Sequence, residues 1–141
     1  QISTFRKTSV FEHPGERVLV LQTSGNLAIA QSVTSILRER IAEGGDAPHL
    51  MNAPNLFEAA RCVGEALREV HRRDATALRD FGFEFNAALT LGGQIRGEAP
   101  RLFSIYAAGN FIEATPDTTY FQIGESKYGK PIIDRVIRRT S

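Results

Sequence analysis

The sequence RVLVLQT at residues 17–23 leads straight into the small residues Ser24-Gly25-Asn26, and this junction decides the fold. Valine and leucine alternate along the run, so the strand that it predicts is apolar on both faces. A strand without polar alternation is typical of a sheet that is buried on both sides. We therefore expect this strand to lie between layers above and below the sheet.

A helix is predicted directly after the junction, from about Leu27 to Glu43, because apolar residues recur there at helical spacing. Ser24 or Asn26 can cap its start. A turn at Ser24-Gly25-Asn26 would direct backbone N–H groups to the space in front of the helix, which suits an anion or an oxyanion. Lys7 lies one strand upstream. A lysine beside such a turn is expected in one half of a hydrolase centre, and no nucleophile is obvious nearby.

The other predicted elements indicate a layered fold. A hairpin is predicted over residues 8–23 with its turn at residues 12–16, and Asn55 is expected to cap a second helix that runs to about Asp74 or a little beyond. After a linker at residues 77–80, strands are predicted at residues 83–95, 101–108, 111–114 and 118–123, and a last helix from about residue 130. Runs of strands beside paired helices favour an α+β architecture over alternating βαβ units.

Size and charge exclude several classes of protein. The 141 residues are enough for one domain with a sizeable core. A net charge of +1 argues against strongly electrostatic partners, so we expect neither nucleic acid nor a membrane surface as a partner. The start at Gln1, without an initiator Met, and the end directly after a helical pattern predict the interior of a longer polypeptide.

Cys62 is the single cysteine, which excludes an internal disulfide and a cysteine-rich zinc site. We expect it in the core, on a helix. The three histidines do not recur at a ligand spacing, so no metal site is predicted, and no cofactor is expected. A reducing, cytoplasmic location fits this cysteine content best.

Four short segments occur in an order and at a spacing that resemble a known family. They are STFRK at residues 3–7, SGNL at residues 24–27, LGGQI at residues 91–95 and FQIGESKYGKP at residues 121–131. Together they resemble the bacterial proteasome-like Anbu family, which is related to proteasome β subunits within the N-terminal-nucleophile hydrolases. The resemblance extends over essentially the whole chain.

This resemblance implies a four-layer αββα sandwich and a set of site residues. In the wider superfamily an N-terminal Thr is the nucleophile, a lysine on an adjacent strand stabilises the charged forms, and a glycine N–H binds the oxyanion. By their positions in the motifs, Lys7 matches the lysine and Gly25 the oxyanion donor. Glu125 and Ser126 lie where proteasome subunits carry a supporting Ser, and either can take that part.

The strand that carries the nucleophile, and a C-terminal part of the fold, are not matched by any segment of this sequence. The resemblance therefore implies that residues 1–141 form an interior fragment of one proteasome-like domain, which would be inactive alone. It also implies the function of the whole protein. We expect a threonine peptidase subunit that hydrolyses peptide bonds of peptides or unfolded proteins inside a ring or helical oligomer of identical subunits.

Two other functions stay open at this point. One is a non-catalytic assembly subunit that keeps the fold without the chemistry. The other is a hydrolase of the same fold that uses an N-terminal Ser or Cys as its nucleophile. In each case the helices that begin at Leu27 and Leu56 are the elements expected to contact neighbouring subunits.

Overall fold

The structure is a computed structural model that describes residues 4–82, 87–106 and 109–114. Within these ranges the chain forms five strands and two helices. They are β1 (Thr4–His13), β2 (Arg17–Asn26), α1 (Leu27–Glu43), α2 (Leu56–Asp80), β3 (Ala87–Ile95), β4 (Arg101–Ile105) and β5 (Phe111–Glu113). The predicted strand at residues 118–123 and the predicted last helix lie outside the described residues.

The five strands form one antiparallel sheet in the order β1-β2-β3-β4-β5. Each strand therefore pairs with its neighbour in sequence, and the helix pair is inserted between β2 and β3. This order confirms the predicted α+β class, because the strands are grouped and antiparallel rather than alternating with helices.

The hydrophobic core lies between one face of this sheet and the two helices. Leu19 and Leu21 of β2 and Leu91 of β3 are fully buried there. They belong to one cluster with Val33 of α1 and Val63 of α2. Antiparallel sheets commonly pack one face against helices in this way.

The opposite face of the sheet is not covered by any element among the described residues. Val18 of β2 is 37% exposed and Val10 of β1 is 51% exposed, although both are apolar. Among the residues that the structure describes, the helices cover one face only. The expected cover on both faces is therefore not observed here, and the four-layer sandwich remains a prediction.

Four of the predicted element boundaries need correction. β1 begins at Thr4 rather than at residue 8, and β2 continues through Asn26 because β1 and β3 pair with it on both sides. α2 continues to Asp80 through the predicted linker, since neither glycine nor proline occurs between Gly64 and Gly82. β4 ends at Ile105, earlier than predicted.

The helix caps agree with the sequence. The side chain of Asn26 accepts hydrogen bonds from the N–H groups of Ala28 and Ile29, at 2.9 and 3.3 Å. Gly44 ends α1 with φ +68°, a region that favours glycine. Asn55 accepts a bond from the N–H of Glu58 at 2.8 Å and so caps α2.

A buried arginine joins β2 to the loop between the helices. Arg17 is 9% exposed, and its Nη1 donates to the carbonyl oxygens of Leu50 at 2.8 Å and of Ala53 at 2.9 Å. The neighbouring carboxylate of Glu16 balances its charge, and hydrogen bonding to Arg17 lowers the pKa of that carboxyl. The sequence alone shows a strand residue here and gives no sign of this bridge.

We predict that Arg17→Met lowers the free energy of unfolding by about 2–4 kcal/mol, because two buried carbonyl groups lose their donor. Urea-induced unfolding measures this loss. Arg96→Met is the matched control, since Arg96 is exposed and is expected to change stability by less than about 0.5 kcal/mol. Equal effects of the two substitutions would show that the bridge is not a stabilising contact.

Two glycines allow α2 to touch the turn between β4 and β5. A Cβ atom added to Gly64 would collide with the carbonyl oxygen of Gly109. A Cβ added to Gly109, which has φ +87°, would lie 2.8 Å from the carbonyl oxygen of Gly64. The close approach of the two backbones therefore requires glycine on both sides.

Gly64→Ala is expected to destabilise the protein, although alanine normally favours a helix over glycine by about 1 kcal/mol. The collision with backbone outweighs this gain, because overpacking at a rigid contact costs about 1–3 kcal/mol. Thermal unfolding tests the sign. Glu65→Ala, at the adjacent exposed position, is the control, and a Gly64→Ala variant with a raised melting temperature would contradict the contact.

Candidate functional site

The pairing of β1 with β2 brings Lys7 and Gly25 together. Lys7 lies directly opposite Thr23, and Phe5 lies opposite Gly25. Gly25 is therefore the diagonal neighbour of Lys7 on the next strand, at roughly 7–8 Å between the two Cα atoms. The two residues that the sequence motifs indicated thus lie at the same end of the strand pair, where the chain enters α1.

The predicted turn at Ser24-Gly25-Asn26 is wrong, because these residues form the last part of β2. Ser24 lies between Arg6 of β1 and Ala88 of β3, and Gly25 is also paired on both sides. Gly25 has φ +112°, which favours glycine. This backbone conformation lets the chain pass from strand to helix without a separate loop.

The start of α1 offers fewer free N–H donors to an anion than the sequence suggested. Asn26 is the cap, and Ser24 is not: the hydroxyl of Ser24 donates to the carbonyl oxygen of Ala88 at 3.4 Å. The N–H groups of Ala28 and Ile29 are bonded to the Asn26 side chain. These two first-turn donors are thus already used by the cap.

The Lys7 side chain is exposed, but its strand position lies on the face that the helices cover. Directly paired residues of antiparallel strands share one face, and Thr23, the partner of Lys7, is 1% exposed beneath the helices. The hydroxyl of Thr23 donates to the carbonyl oxygen of Lys7 at 3.4 Å. Lys7 therefore projects at the open end of the covered face, whereas the adjacent Arg6 belongs to the other face.

Glu125 and Ser126 lie outside the described residues, so the structure does not place them relative to Lys7. Within the described ranges no group of His, Cys, Asp or Glu side chains could hold a metal ion. In the same part of the chain, no helix has the length and apolar character that crossing a membrane requires.

A separate groove of about 640 Å³ lies on the exposed side of the helix pair. Its lining contains Ser32 and Ser35 of α1 and an ion pair between Arg40 and Glu69, at 3.0 Å. Neither Lys7 nor Gly25 lines this groove. It is therefore a feature of the helix surface and not of the candidate site.

Cys62 is buried in α2, as the sequence predicted. Burial raises the pKa of its thiol, and the nearby carboxylate of Glu65 raises it further. Because the thiolate is the nucleophilic form, we expect this core cysteine to be unreactive.

We predict that Cys62 reacts slowly with a disulfide reagent such as 5,5′-dithiobis(2-nitrobenzoate) in the folded protein. Its raised pKa lowers the thiolate fraction at pH 8, so the rate should still be rising above pH 9. The absorbance of the released thiolate measures this rate. Labelling in urea, where the chain is unfolded, provides the control. A folded-state rate equal to that in urea would contradict the burial.

Solved structures of Anbu proteins are similar to most of this chain. Anbu (ancestral beta-subunit) from Yersinia bercovieri is 53% identical with a TM-score of 0.74, and the match covers 96% of this chain and 55% of that one. The helical assembly of the Anbu complex from Pseudomonas aeruginosa gives 47% identity and a TM-score of 0.73, covering 93% and 53%. Anbu from Hyphomicrobium sp. strain MC1 is 47% identical with a TM-score of 0.71, and the match covers 92% of this chain and 52% of that one.

No protein-family model matches the chain, and no curated protein matches it. The chain spans about half the length of the three solved proteins. Identities of 47–53% over more than nine-tenths of the chain, with the same backbone arrangement, nevertheless confirm the resemblance that the four motifs indicated. The chain belongs to the Anbu family.

Proposed function

We propose that this chain is part of a proteasome-like threonine peptidase subunit. The subunit would hydrolyse peptide bonds of peptides or unfolded proteins within a self-assembled oligomer in the cytoplasm. The observation that carries the proposal is the diagonal pairing of Lys7 with Gly25, because it puts a cation and a glycine N–H at one end of the sheet. Membership of the Anbu family supports the same assignment.

In this proposal the nucleophile is an N-terminal Thr that lies outside the 141 residues. The ammonium group of Lys7 favours the deprotonated form of that hydroxyl, and the α-amine of the Thr accepts its proton. The hydroxyl oxygen then adds to the carbonyl carbon of the scissile bond. The amine returns the proton to the leaving nitrogen, and water hydrolyses the ester that remains.

Gly25 has the second role in the proposed reaction. When the hydroxyl adds, the carbonyl oxygen of the substrate becomes negatively charged. An N–H donor held in place before the reaction stabilises such a transition state by roughly 3 kcal/mol. The positive φ of Gly25, where β2 passes directly into α1, supports this role, since it gives this residue a backbone direction that differs from that of a regular strand. Glu125 or Ser126 is proposed as the supporting polar residue of the same site.

Self-association is the part of the proposal that a relative supports directly. The related Pseudomonas aeruginosa protein is described as a helical assembly of the Anbu complex. The exposed sides of α1 and α2 are proposed as contact surfaces for a second copy. The same observation also favours the second candidate, a non-catalytic assembly subunit, because assembly does not by itself require a reaction.

The two candidates are distinguished by covalent labelling. In the full-length protein, a peptide epoxyketone is expected to label the N-terminal Thr, and Lys7→Ala should lower the labelling rate by on the order of 10²-fold or more. Intact-mass spectrometry measures the adduct. The melting temperature should hardly change, because the Lys7 side chain is exposed.

Arg6→Ala is the matched control, since it removes the same charge from the adjacent residue on the other face of β1. It should leave the labelling rate within about threefold of the original. If the protein forms no adduct, or if the two substitutions have equal effects, the peptidase assignment fails and the assembly subunit is favoured.

A further inference from the structure

Three of the buried polar side chains in the described residues have partners that hold helices or loops in place. Arg17 binds the loop between the helices, Thr34 donates to Ala30 one turn back in α1, and His49 accepts the N–H of Met51. Thr23 differs. Its hydroxyl crosses to the neighbouring strand and donates to the carbonyl oxygen of Lys7, the residue on which the proposed chemistry depends.

The covered face of β2 also changes character at this position. Leu19 and Leu21 are apolar and fully buried, and the next residue on the same face is Thr23, which is 1% exposed. Packing of the core does not explain a hydroxyl at this position, since Val has the same shape and its burial avoids the free-energy cost of removing a hydroxyl from water. The polar atom occurs where the strand reaches Lys7.

The contact acts on the backbone of Lys7. At 3.4 Å it is a long hydrogen bond, which contributes little to stability. It nevertheless restrains the peptide group that follows the Lys7 Cα atom, and Thr23 is itself restricted because it is β-branched. Because the Cα–Cβ bond of Lys7 leaves the backbone beside this peptide, a restraint here bears on the direction in which the Lys7 side chain leaves β1.

We propose that Thr23 is a positioning residue for Lys7. Its hydroxyl holds the Lys7 carbonyl, so that the ammonium group extends toward the space beside Gly25 rather than along the sheet edge. This inference rests on the proposed function, because it needs a reaction in which the position of Lys7 matters. It adds Thr23 to the candidate site. The sequence motifs did not indicate this residue, because in the sequence it has only the features of an ordinary strand residue.

The test uses the full-length protein and the rate of epoxyketone labelling between pH 5 and pH 9. Thr23→Val should lower the rate roughly 10- to 100-fold, because misplacement of a catalytic group by about 1 Å has effects of that size. The pH profile should shift toward that of Lys7→Ala. Thr23→Ser, which keeps the hydroxyl, should restore the rate and the profile. The melting temperature should fall by about 2 °C or less.

Two further variants keep the result interpretable. Thr34→Val is the matched control, because it removes a buried hydroxyl whose partner lies in its own helix; its rate and pH profile should not change. Thr23→Ala removes the same hydroxyl with a different packing change, and it replaces Thr23→Val if that variant does not fold. The hydroxyl has the proposed role only if its removal lowers the rate and serine restores it.

The possible failures are distinct. If Lys7→Ala labels as fast as the original protein, the proposed function fails, and the role of Thr23 fails with it. If Lys7→Ala is slow but Thr23→Val and Thr23→Ala keep the original rate and pH profile, the peptidase assignment survives and only the role of Thr23 is overturned. If serine does not restore the rate, the effect belongs to packing and the hydroxyl has no positioning role.

Discussion

The structure depends on the packing of two helices against one face of the central strand β2. Leu19 and Leu21 are fully buried beneath α1 and α2, and burial of one such side chain contributes about 1.5–3 kcal/mol. This packing selects which residues of β2 face inward. Because strand side chains alternate, it also selects the facing residues of β1 and β3 through their pairing.

The packing of one face of β2 against the helices also determines which residues of β1 lie in the candidate site. With Leu19 and Leu21 inward, Thr23 is inward as well, and its partner Lys7 shares the covered face. A shift of the pairing by one residue would move Lys7 to the opposite face and put Arg6 in its place. The buried leucines therefore determine which of two adjacent cations can take part in the proposed reaction.

The passage from β2 to α1 is the second constraint on the site. Gly25 changes the chain direction with its positive φ, and Asn26 caps the helix at the next residue. No loop residue separates strand from helix, so the position of the first helical turn relative to Lys7 is determined by the sheet. This differs from a flexible turn, which would have to be ordered at an entropic cost when a substrate binds.

The residues alone allowed several local features to be predicted correctly. The α1 helix and the cap of α2 at Asn55 were predicted, and Asn26 was one of two residues expected to cap α1, because such features depend on a few adjacent residues. The α+β order was predicted for a similar reason, since hydrophobic periodicity is local. Lys7 and Gly25 were found from the motifs. Their adjacency could only be inferred from the resemblance, because a strand register is a contact between separate segments.

What the sequence determined by itself is the order of the described elements, the cap of α2 and the family to which the chain belongs. Tertiary structure decided where the elements end and which side chains meet. β2 continues through Gly25 because two neighbouring strands supply its partners, and Arg17 is buried because the carbonyl groups of a distant loop surround it. Such contacts join residues far apart in the chain, whereas capping and periodicity act within a few residues. This difference in range is the physical reason that the role of Thr23 became visible only in the folded chain.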